Sequence, residues 1–506
     1  VTHSGTFSTS VASGYGMYLN SSASATLTNS GTLTTSGDNS YGIYANASSG
    51  TSTFTNSGTI TTSGSSGYGI YSLRNSGTST ITNSGTITTS GSSGYGIYEW
   101  LNSGTNTLTN SGTLTTSGDN SYGIYSRSNS GTNTLTNSGT ITTSGSSGYG
   151  IYSYDNNGTE AITNSGTITT SGSSGYGIYS AYNSDTSTLT NSGTITTSGD
   201  SSRGIYSIRN SDTSTITNSG TITTSGSSGY GISSSSNSGT ETITNSGTIT
   251  ASGDGLRSSM GIGSYANSGT LTISNTSTIS TSGPGNGIFL NSHTGTTTIT
   301  NSGTITTSGQ YSRGIQSNGN SGTETISNTS TISTSGQYGQ GIQSNRNSGT
   351  ANISNTSTIS TSGSNADGIY LNDNSGTLTI SNTSTISTSG SNADGIYLLR
   401  NSGTTTITNS DTIKVTGSSA VGVTLDGGVT LNNSGAISAT GSATQAIDST
   451  GTGNDTLTLS SGSNITGSID LGGGTDTVNI TGVNGCATAA CMSTSLTFAN
   501  TENINL

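Results

Sequence analysis

Isolated apolar residues recur at a fixed interval along most of this chain. Counting from Leu27, an aliphatic residue or Phe returns every 27 positions, and an Asn follows it two positions later. The interval breaks at one insertion and then resumes. The first apolar positions of the series are Leu27, Phe54, Ile81, Leu108, Leu135, Ile162, Leu189, Ile216 and Ile243. A period of this length is typical of a solenoid, in which identical units stack along one axis.

Each repeat contains three short segments with the alternating pattern of a β-strand. In the unit that starts at Thr80, an aliphatic residue lies between polar or small neighbours at Ile81, Ile87 and Ile97. Asn, Ser and Gly separate the segments and are typical turn residues. The density of Gly and β-branched residues argues against a helix. The pattern predicts an all-β fold, a right-handed parallel β-helix (β-solenoid) with three strands per 27-residue coil and about 19 coils.

The Asn of each unit is predicted to form a ladder inside the coil. Asn83 has the same parity along its strand as Ile81, so its side chain should face inward at the first bend. There its amide can bond to the amides of Asn56 and Asn110 in the neighbouring coils. The predicted structural ladder comprises Asn29, Asn56, Asn83, Asn110, Asn137, Asn164, Asn191, Asn218 and Asn245.

Seven consecutive coils carry a Tyr-Gly-aliphatic-Tyr motif, from Tyr15 to Tyr179, with Met as the aliphatic residue in the first. These motifs contain 14 of the 23 tyrosines and predict a ladder of aromatic rings in the N-terminal half. One interpretation is that the stacked rings stabilise a corner of the coil. The alternative is an aromatic platform for sugar or protein ligands.

The residues that follow the second Tyr of the motif differ from coil to coil. Five of the eight arginines and the single Trp are found there. A solenoid has to repeat where it packs and is free to vary where it faces solvent, and Trp, Tyr and Arg are common binding anchors. We therefore predict a recognition edge, with unconstrained surface variation as the alternative. The candidate edge comprises Arg74, Trp100, Arg127, Tyr154, Tyr182, Arg209, Arg346 and Arg400.

Composition and charge restrict the class of protein. An apolar fraction of 25% is typical of disorder, but the phased apolar residues and a charged fraction of only 6% favour a folded repeat. The formal net charge of −12 argues against nucleic acid or an anionic membrane as a partner. No run approaches ~18 apolar residues, so no helix is expected to span a bilayer.

The period shortens from about Val415, which predicts three regions along the chain. Residues 1–414 are expected to form regular 27-residue coils, residues 415–483 shorter and irregular coils, and residues 484–506 a C-terminal segment. That segment contains Cys486 and Cys491, which are close enough in sequence to close one small disulfide loop. Such a loop is compatible with export from the cell.

Several motifs resemble the passenger of a classical autotransporter (type V secretion). They are the Asn-Ser-Gly-Thr-Ile coils, Gly-Asn-Asp-Thr-Leu from Gly453, Gly-Gly-Gly-Thr-Asp-Thr-Val from Gly472, and the closing Phe-x-Asn-x-Glu-x-Ile-Asn-Leu from Phe498. The resemblance extends over essentially the whole chain. It implies export through the outer membrane, a parallel β-helix at the cell surface and, commonly, adhesion or self-association. It also implies an outer-membrane translocator barrel as a partner, and this sequence contains none.

The sequence does not support a catalytic triad or a glycosidase pair. His3 and His293 are the only histidines and lie far apart, so a triad has no base. Glu160 and Glu241 lie three coils apart, about 14 Å at the strand spacing. That distance exceeds the ~5–9.5 Å that a glycosidase pair requires.

Two pairs of aspartates lie one coil apart, Asp185 with Asp212 and Asp367 with Asp394. We expect both pairs to be solvated variants of the repeat, because no basic partner accompanies them. The Gly-x-Asp segments resemble calcium-binding nonapeptides, but their spacing of 21 residues does not fit tandem nine-residue repeats. We therefore predict a non-enzymatic protein with no catalytic residue, no cofactor and no metal.

Three functions remain open at this point. The first is an extracellular rod on a bacterial surface that mediates adhesion or self-association through polar Thr, Ser and Asn ladders. Its partners would be itself, by lateral or head-to-tail contact, and a host surface, a neighbouring cell or a polysaccharide. The alternatives are a filament subunit that polymerises head-to-tail through uncapped coil ends, and an ice-binding protein that uses its Thr-x-Thr arrays.

Overall fold

The computed structural model describes residues 1–20, 24–46, 48–253, 259–481, 498–501 and 503–505. Within these ranges every regular element is a β-strand, and no helix is long and apolar enough to cross a membrane. The chain divides into two compact units, Val1–Ser259 and Met260–Leu506. Cys486 and Cys491, the predicted disulfide pair, lie outside the described residues.

The strands of each unit form three parallel sheets, because each coil contributes one strand to each sheet in turn. The first sheet contains the strands that end at the ladder asparagines. In the first unit these strands are Thr2–His3, Ala25–Asn29, Ser52–Asn56, Ser79–Asn83, Asn106–Asn110, Asn133–Asn137, Glu160–Asn164, Ser187–Asn191, Ser214–Asn218 and Glu241–Asn245. In the second unit they are Leu271–Asn275, Thr297–Asn301, Glu324–Asn328, Ala351–Asn355, Leu378–Asn382, Thr405–Asn409, Val429–Asn433, Thr456–Leu459, Thr477–Ile480 and Asn503–Asn505.

The second sheet contains the Thr-Ile-Thr strands. In the first unit these are Thr6–Thr9, Thr32–Thr35, Thr59–Thr62, Thr86–Thr89, Thr113–Thr116, Thr140–Thr143, Thr167–Thr170, Thr194–Thr197, Thr221–Thr224 and Thr248–Ala251. In the second unit they are Ile279–Thr281, Ile305–Thr307, Ile332–Thr334, Ile359–Thr361, Ile386–Thr388, Thr412–Val415, Ala436–Ala439 and Asn464–Thr466.

The third sheet contains the strands of the Tyr-Gly-Ile-Tyr motif and its variants. In the first unit these are Tyr15–Asn20, Tyr41–Asn46, Tyr68–Leu73, Ile97–Trp100, Tyr122–Arg127, Tyr149–Tyr154, Tyr176–Ala181, Arg203–Ile208 and Tyr230–Ser235. In the second unit they are Met260–Tyr265, Ile288–Asn291, Ile315–Asn318, Ile342–Asn345, Ile369–Asn372, Ile396–Leu399, Val421–Leu425, Gln445–Ser449, Ser468–Asp470 and Phe498–Ala499.

Residues that are 27 positions apart in sequence lie side by side on neighbouring strands of these sheets. Ile81 pairs with Leu108 and Asn83 with Asn110, a step of 27 residues. Ile81, Ile87 and Ile97, one from each strand of a coil, have no exposed surface. Burial of one such side chain contributes about 1.5–3 kcal/mol, and repetition in every coil produces a continuous apolar core. The predicted parallel β-helix with three strands per 27-residue coil is confirmed.

The pairing step shortens near the C-terminus. Thr405 pairs with Val429, a step of 24 residues, and Leu457 pairs with Val478, a step of 21 residues. The strands stay in parallel register because the shorter coils lose residues from the turns. The division into regions 1–414, 415–483 and 484–506 remains a prediction.

A glycine in the third strand permits the close contact between the second and third sheets. A Cβ atom at Gly69 would lie 2.3 Å from Cγ2 of Ile87 and 2.5 Å from the carbonyl oxygen of Gly96. Any larger residue would push the third strand away from the isoleucine column. The corner at this glycine is where the tyrosines of the motif lie.

Candidate functional site

The nine predicted ladder asparagines form one continuous chain of hydrogen bonds in the first unit. Nδ2 of Asn56 donates to Oδ1 of Asn83 at 2.8 Å, and Nδ2 of Asn83 donates to Oδ1 of Asn110 at 2.8 Å. The same bond links the other neighbours from Asn29 to Asn245 at 2.7–2.8 Å. All nine side chains are fully buried. The ladder therefore satisfies interior polar groups, and its amides are not available to a ligand.

A second buried column lies at the corner after the third strand. The backbone N–H of Asn75 donates to Oδ1 of Asn102 at 2.9 Å. In the second unit His293 occupies the equivalent position, where its N–H donates to Oδ1 of Asn320 at 2.7 Å. Burial lowers the pKa of His293. This histidine is a structural residue of the corner.

The glutamates considered as a catalytic pair point into the interior of the coil. Glu160 accepts hydrogen bonds from Nδ2 of Asn183 at 3.0 Å and from Oγ of Ser187 at 3.2 Å. Glu241 is likewise buried and accepts a 3.0 Å hydrogen bond from Nδ2 of Asn237. Burial raises the pKa of Glu160, and it raises the pKa of Glu241 to about 7. Glu160 connects neighbouring coils from the inside, and Glu241 binds the corner of its own coil.

The tyrosines of the motif form two parallel columns of rings in the first unit. Tyr68 and Tyr95 stack with centroids 4.9 Å apart, and so do Tyr71 and Tyr98. Between the columns, Tyr68 meets Tyr71 edge to face at 5.3 Å. Offset stacking and edge-to-face contacts are the favoured ring geometries. The rings fill the corner, and their burial raises the pKa of tyrosines such as Tyr41, to about 12.

Part of the predicted recognition edge is a contiguous row in the first unit. Arg127 pairs in register with Trp100 on one side and Tyr154 on the other. Its guanidinium lies 5.8 Å from the Trp100 ring centre and 5.7 Å from that of Tyr154. The Tyr154 ring is 5.2 Å from Tyr182, whose ring is 5.2 Å from the guanidinium of Arg209. We call these five residues the Arg-aromatic row.

The remaining edge residues occupy the turn that follows the third strand. Arg74 lies there with a φ of 53°, in the first unit. In the second unit Arg346 and Arg400 lie in the same turn and approach Asp373 from opposite sides. Their Nε atoms are 3.9 Å and 2.9 Å from its carboxylate oxygens. The predicted edge thus comprises the Arg-aromatic row and a separate, exposed Arg-Asp-Arg group.

A groove in the second unit was not predicted from the sequence. It encloses about 360 Å³, and an adjoining cavity of about 280 Å³ shares three of its lining residues. Its floor is formed by Arg313, Gln340 and Asp367, and Asp394 continues the floor into the adjoining cavity. One wall is the turn before the third strand, with Tyr311, Tyr338, Asn365 and Asn392. The other wall belongs to the third strand, with Gln343, Tyr370 and Tyr397.

The groove corrects the expectation that Asp367 and Asp394 are solvated. Only 4% of Asp367 and 8% of Asp394 is exposed. The backbone N–H of Asp394 donates to Oδ1 of Asp367 at 2.8 Å, and Thr424 donates to Oδ2 of Asp394 at 2.6 Å. Burial raises the pKa of Asp367 to about 8 and that of Asp394 to about 6. Burial thus favours the neutral acid form of Asp367, and backbone N–H groups donate to both carboxyl groups.

The groove exists because polar residues replace tyrosine at one position of the repeat. Asp367 and Tyr370 are equivalent to Tyr95 and Tyr98, since both pairs flank a Gly-Ile dipeptide. In the first unit two tyrosine columns fill this corner, whereas in the second unit the first column becomes Arg, Gln and Asp. Alignment of the repeats reveals this replacement, so the signal was present in the sequence.

Comparison with known proteins places the chain among β-helical domains. The family model of the BigA third pectate lyase-like domain matches residues 1–124, 100–210 and 187–323, more than half of the 506 residues. In this family name, pectate lyase-like describes the fold. No curated protein matches the chain.

A chain in the cryo-EM structure of the Vag8–C1 inhibitor complex is similar to this one at 13% identity, with a TM-score of 0.44, over 100% of this chain and 99% of that chain. Within the described ranges, no group of three or more His, Cys, Asp or Glu side chains is arranged to hold a metal ion. The predicted resemblance to a β-helical protein is confirmed by the family match. The chain belongs to the family of the BigA third pectate lyase-like domain.

Proposed function

We propose that this protein is a non-enzymatic adhesin of the bacterial surface that binds a partner through the Arg-aromatic row of its first unit. The observation that carries the proposal is the unbroken sequence of contacts from Trp100 to Arg209. Trp, Tyr and Arg are the residue types that most often dominate binding energy at interfaces. The β-helical, passenger-like architecture supports an extracellular location.

The row is held in place before any partner arrives. Arg127 is restrained between two aromatic rings, and Arg209 donates a hydrogen bond to the hydroxyl of Tyr182. Ordering long side chains costs about 0.5–1.5 kcal/mol each when a complex forms. A row that is already ordered avoids much of that cost, and Tyr182 still exposes 37% of its surface to a partner.

The acidic residues support a binding function rather than catalysis. Glu160 and Glu241 are fully or almost fully buried, and their carboxylates accept hydrogen bonds inside the coil. Their side chains therefore do not reach a substrate on the surface of the first unit.

Adhesion is tested by displaying the full chain on beads and measuring retention on immobilised extracellular matrix and on bacterial cell envelopes under flow. Trp100→Ala and Tyr182→Ala should each reduce retention at least tenfold, as expected for interface anchors of about 1.4 kcal/mol or more. The matched control is Ser146→Ala, an exposed residue away from the row. Equal retention of the parent and of both row variants would contradict the proposal.

Self-association is a second candidate, favoured by the outer surface of the second sheet. Thr113, Thr140 and Thr167 are exposed and pair in register, one coil apart. Such a flat row of hydroxyl groups offers repeated weak hydrogen bonds to a second copy. Sedimentation velocity over a range of concentrations should show association of the parent chain, and a triple Thr→Glu variant at these positions should remain monomeric. A parent chain that stays monomeric at every concentration would exclude this candidate.

A further inference from the structure

We propose that the groove of the second unit binds an uncharged, linear oligosaccharide. This inference is independent of the proposed adhesion through the Arg-aromatic row, because it concerns other residues in the other unit. Concave sites lined by aromatic rings with a few polar groups are typical of small-molecule ligands. Here the polar floor and the tyrosines of the turn wall, Tyr311 and Tyr338, differ from the residues at the equivalent positions of the first unit, whereas Tyr370 and Tyr397 continue the second tyrosine column of the motif.

Two pairs of tyrosines provide apolar contact for sugar rings through their ring edges and outer faces, because the facing surfaces of Tyr311 and Tyr338 cover each other. Tyr311 and Tyr338 stack at 5.0 Å with an angle of 5° between their planes, and Tyr311 remains 49% exposed. Tyr370 and Tyr397 lie on the opposite wall, 5.4 Å apart. Their separation follows the coil spacing, so rings are presented at regular intervals along the groove.

The floor and the strand wall provide hydrogen-bonding groups for hydroxyls. Only 5% of the surface of Gln343 is exposed, and its Oε1 has no hydrogen-bond partner within the described structure. An unpaired buried oxygen carries a free-energy cost. A hydroxyl donor in the groove would remove that cost. Nε of Arg313 donates to Oε1 of Gln340 at 3.0 Å, which fixes the floor beside Gln343.

The backbone around the groove argues for a glycan rather than an added peptide strand. The N–H of Ile342 donates to the carbonyl of Gly368, and the N–H of Ile369 donates to the carbonyl of Gly395, both at 3.0 Å. A peptide that extends a sheet needs unpaired backbone groups. This groove lies across the strands rather than at a sheet edge, so it offers side chains, which recognise hydroxyl groups and sugar faces.

The charges around the groove favour a neutral ligand. Arg313 is the cation of the floor, whereas Asp394 and Asp448 in the adjoining cavity are acidic, and the buried Asp367, whose pKa is raised to about 8, is neutral at pH 7. A chain of uronic acids would place its carboxylates against Asp394 and Asp448. Like charges at such distances are unfavourable, and a neutral glycan avoids them.

The length of the groove fits a chain of several sugars. Its turn wall continues from Tyr311 through Tyr338, Asn365 and Asn392 to Ser419, four steps of one coil each. At ~4.8 Å per coil the wall is about 19 Å long. The groove is open along this direction, so the oligosaccharide would lie parallel to the stack of coils.

The experiment is isothermal titration of the full chain with hexasaccharides of β-1,4-linked glucose, mannose and N-acetylglucosamine, and with hexagalacturonate as the charged comparison. At least one neutral hexasaccharide should bind, and hexagalacturonate should bind at least tenfold more weakly. Tyr311→Ala and Tyr397→Ala should each weaken the neutral ligand at least tenfold. Tyr18→Ala, which removes an exposed tyrosine of the first unit, should leave binding unchanged.

A variant that closes the groove separates loss of binding from loss of folding. Gln340→Tyr with Asp367→Tyr places two stacked rings in the first column, as in the first unit, so it should preserve or raise the melting temperature while abolishing binding. The proposal is overturned by failure of all three neutral hexasaccharides, by tighter binding of hexagalacturonate, or by unchanged binding to the closed variant. Tighter binding of a mixture of casein peptides than of any glycan would also overturn it.

Discussion

Asn110 and Asn137 are 27 residues apart in sequence, yet Nδ2 of Asn110 donates a 2.7 Å hydrogen bond to Oδ1 of Asn137. Asn137 makes the same bond to the next coil, where its Nδ2 donates to Oδ1 of Asn164 at 2.7 Å. Each interior asparagine is therefore both donor and acceptor. Loss of one member leaves polar groups unpaired in the coils on both sides.

Asn137→Ala should destabilise the first unit by about 1–3 kcal/mol, because Oδ1 of Asn164 loses its side-chain donor in a buried site. Chemical denaturation monitored by circular dichroism measures the change. Thr140→Ala is the matched control, since this exposed residue lies in the same coil and should change stability by less than about 0.5 kcal/mol. Equal effects of the two substitutions would show that the ladder contributes no stability.

The tyrosine columns predict an unusual alkaline titration. Tyr41 and Tyr125 each have a pKa raised by burial to about 12, and burial also raises the pKa of Tyr68 and Tyr122. Because the folded pKa exceeds the unfolded value of about 10, the stabilisation is complete below pH 10 and is lost as pH rises through the folded pKa. The ladder tyrosines should therefore ionise above pH 11, together with unfolding.

Ultraviolet absorbance of tyrosinate, recorded with circular dichroism at each pH, checks this expectation. The chain unfolded in guanidinium is the control and should titrate as a single group near pH 10. If most tyrosines of the native chain ionised at pH 10 without loss of β-structure, the columns would be solvated and the packing described for them would be wrong.

Ile141→Ala should show how far the loss of stability extends along the coils. Ile141 is fully buried and pairs with Leu114 and Ile168. Its truncation should cost about 2–5 kcal/mol, and because each coil contacts only its neighbours, the effect should be local. Hydrogen exchange with mass spectrometry should show faster exchange in coils around residue 141 and unchanged exchange beyond residue 300. Uniform acceleration over the whole chain would contradict local coupling.

The fold could be predicted from the sequence because the 27-residue repeat fixes which residues of neighbouring coils lie side by side. The parity of Asn83 and Ile81 placed both side chains inside the coil, where the structure has them. The same repeat indicated the variable edge around Trp100. It did not show that Arg127 lies between two rings, because that contact depends on side-chain rotamers rather than register.

The groove was missed for a different reason. Residue types alone present Asp367 and Asp394 as a pair of charges, and with no basic residue adjacent in sequence they predict side chains that face solvent. The backbone N–H groups of Asp394 and Val421 donate to the carboxyl groups of Asp367 and Asp394, respectively. Residue types alone do not predict hydrogen bonds from the backbone. Comparison with the tyrosines at the equivalent positions would have placed both aspartates in the corner.

Buried glutamates predict that the protein is more stable in mild acid than in mild alkali. Burial raises the pKa of Glu99 to about 8 and that of Glu324 to about 7, above the ordinary value of 4.5. The neutral acid is the form that the fold accommodates. Stability is therefore complete below about pH 4.5 and decreases as pH rises through about 7 to 8.

Glu99→Gln tests this directly, because both carboxylate oxygens of Glu99 lack a hydrogen-bond partner within the described structure and the amide is a neutral isostere. At pH 9 the variant should gain up to roughly 5 kcal/mol over the parent, and at pH 4 the two should be equal. Thermal unfolding at both pH values measures the difference, with Asp119→Asn, an exposed carboxylate, as the control. A parent protein that is equally stable at pH 4 and pH 9, and a variant that gains nothing at pH 9, would show that Glu99 reaches water when it ionises.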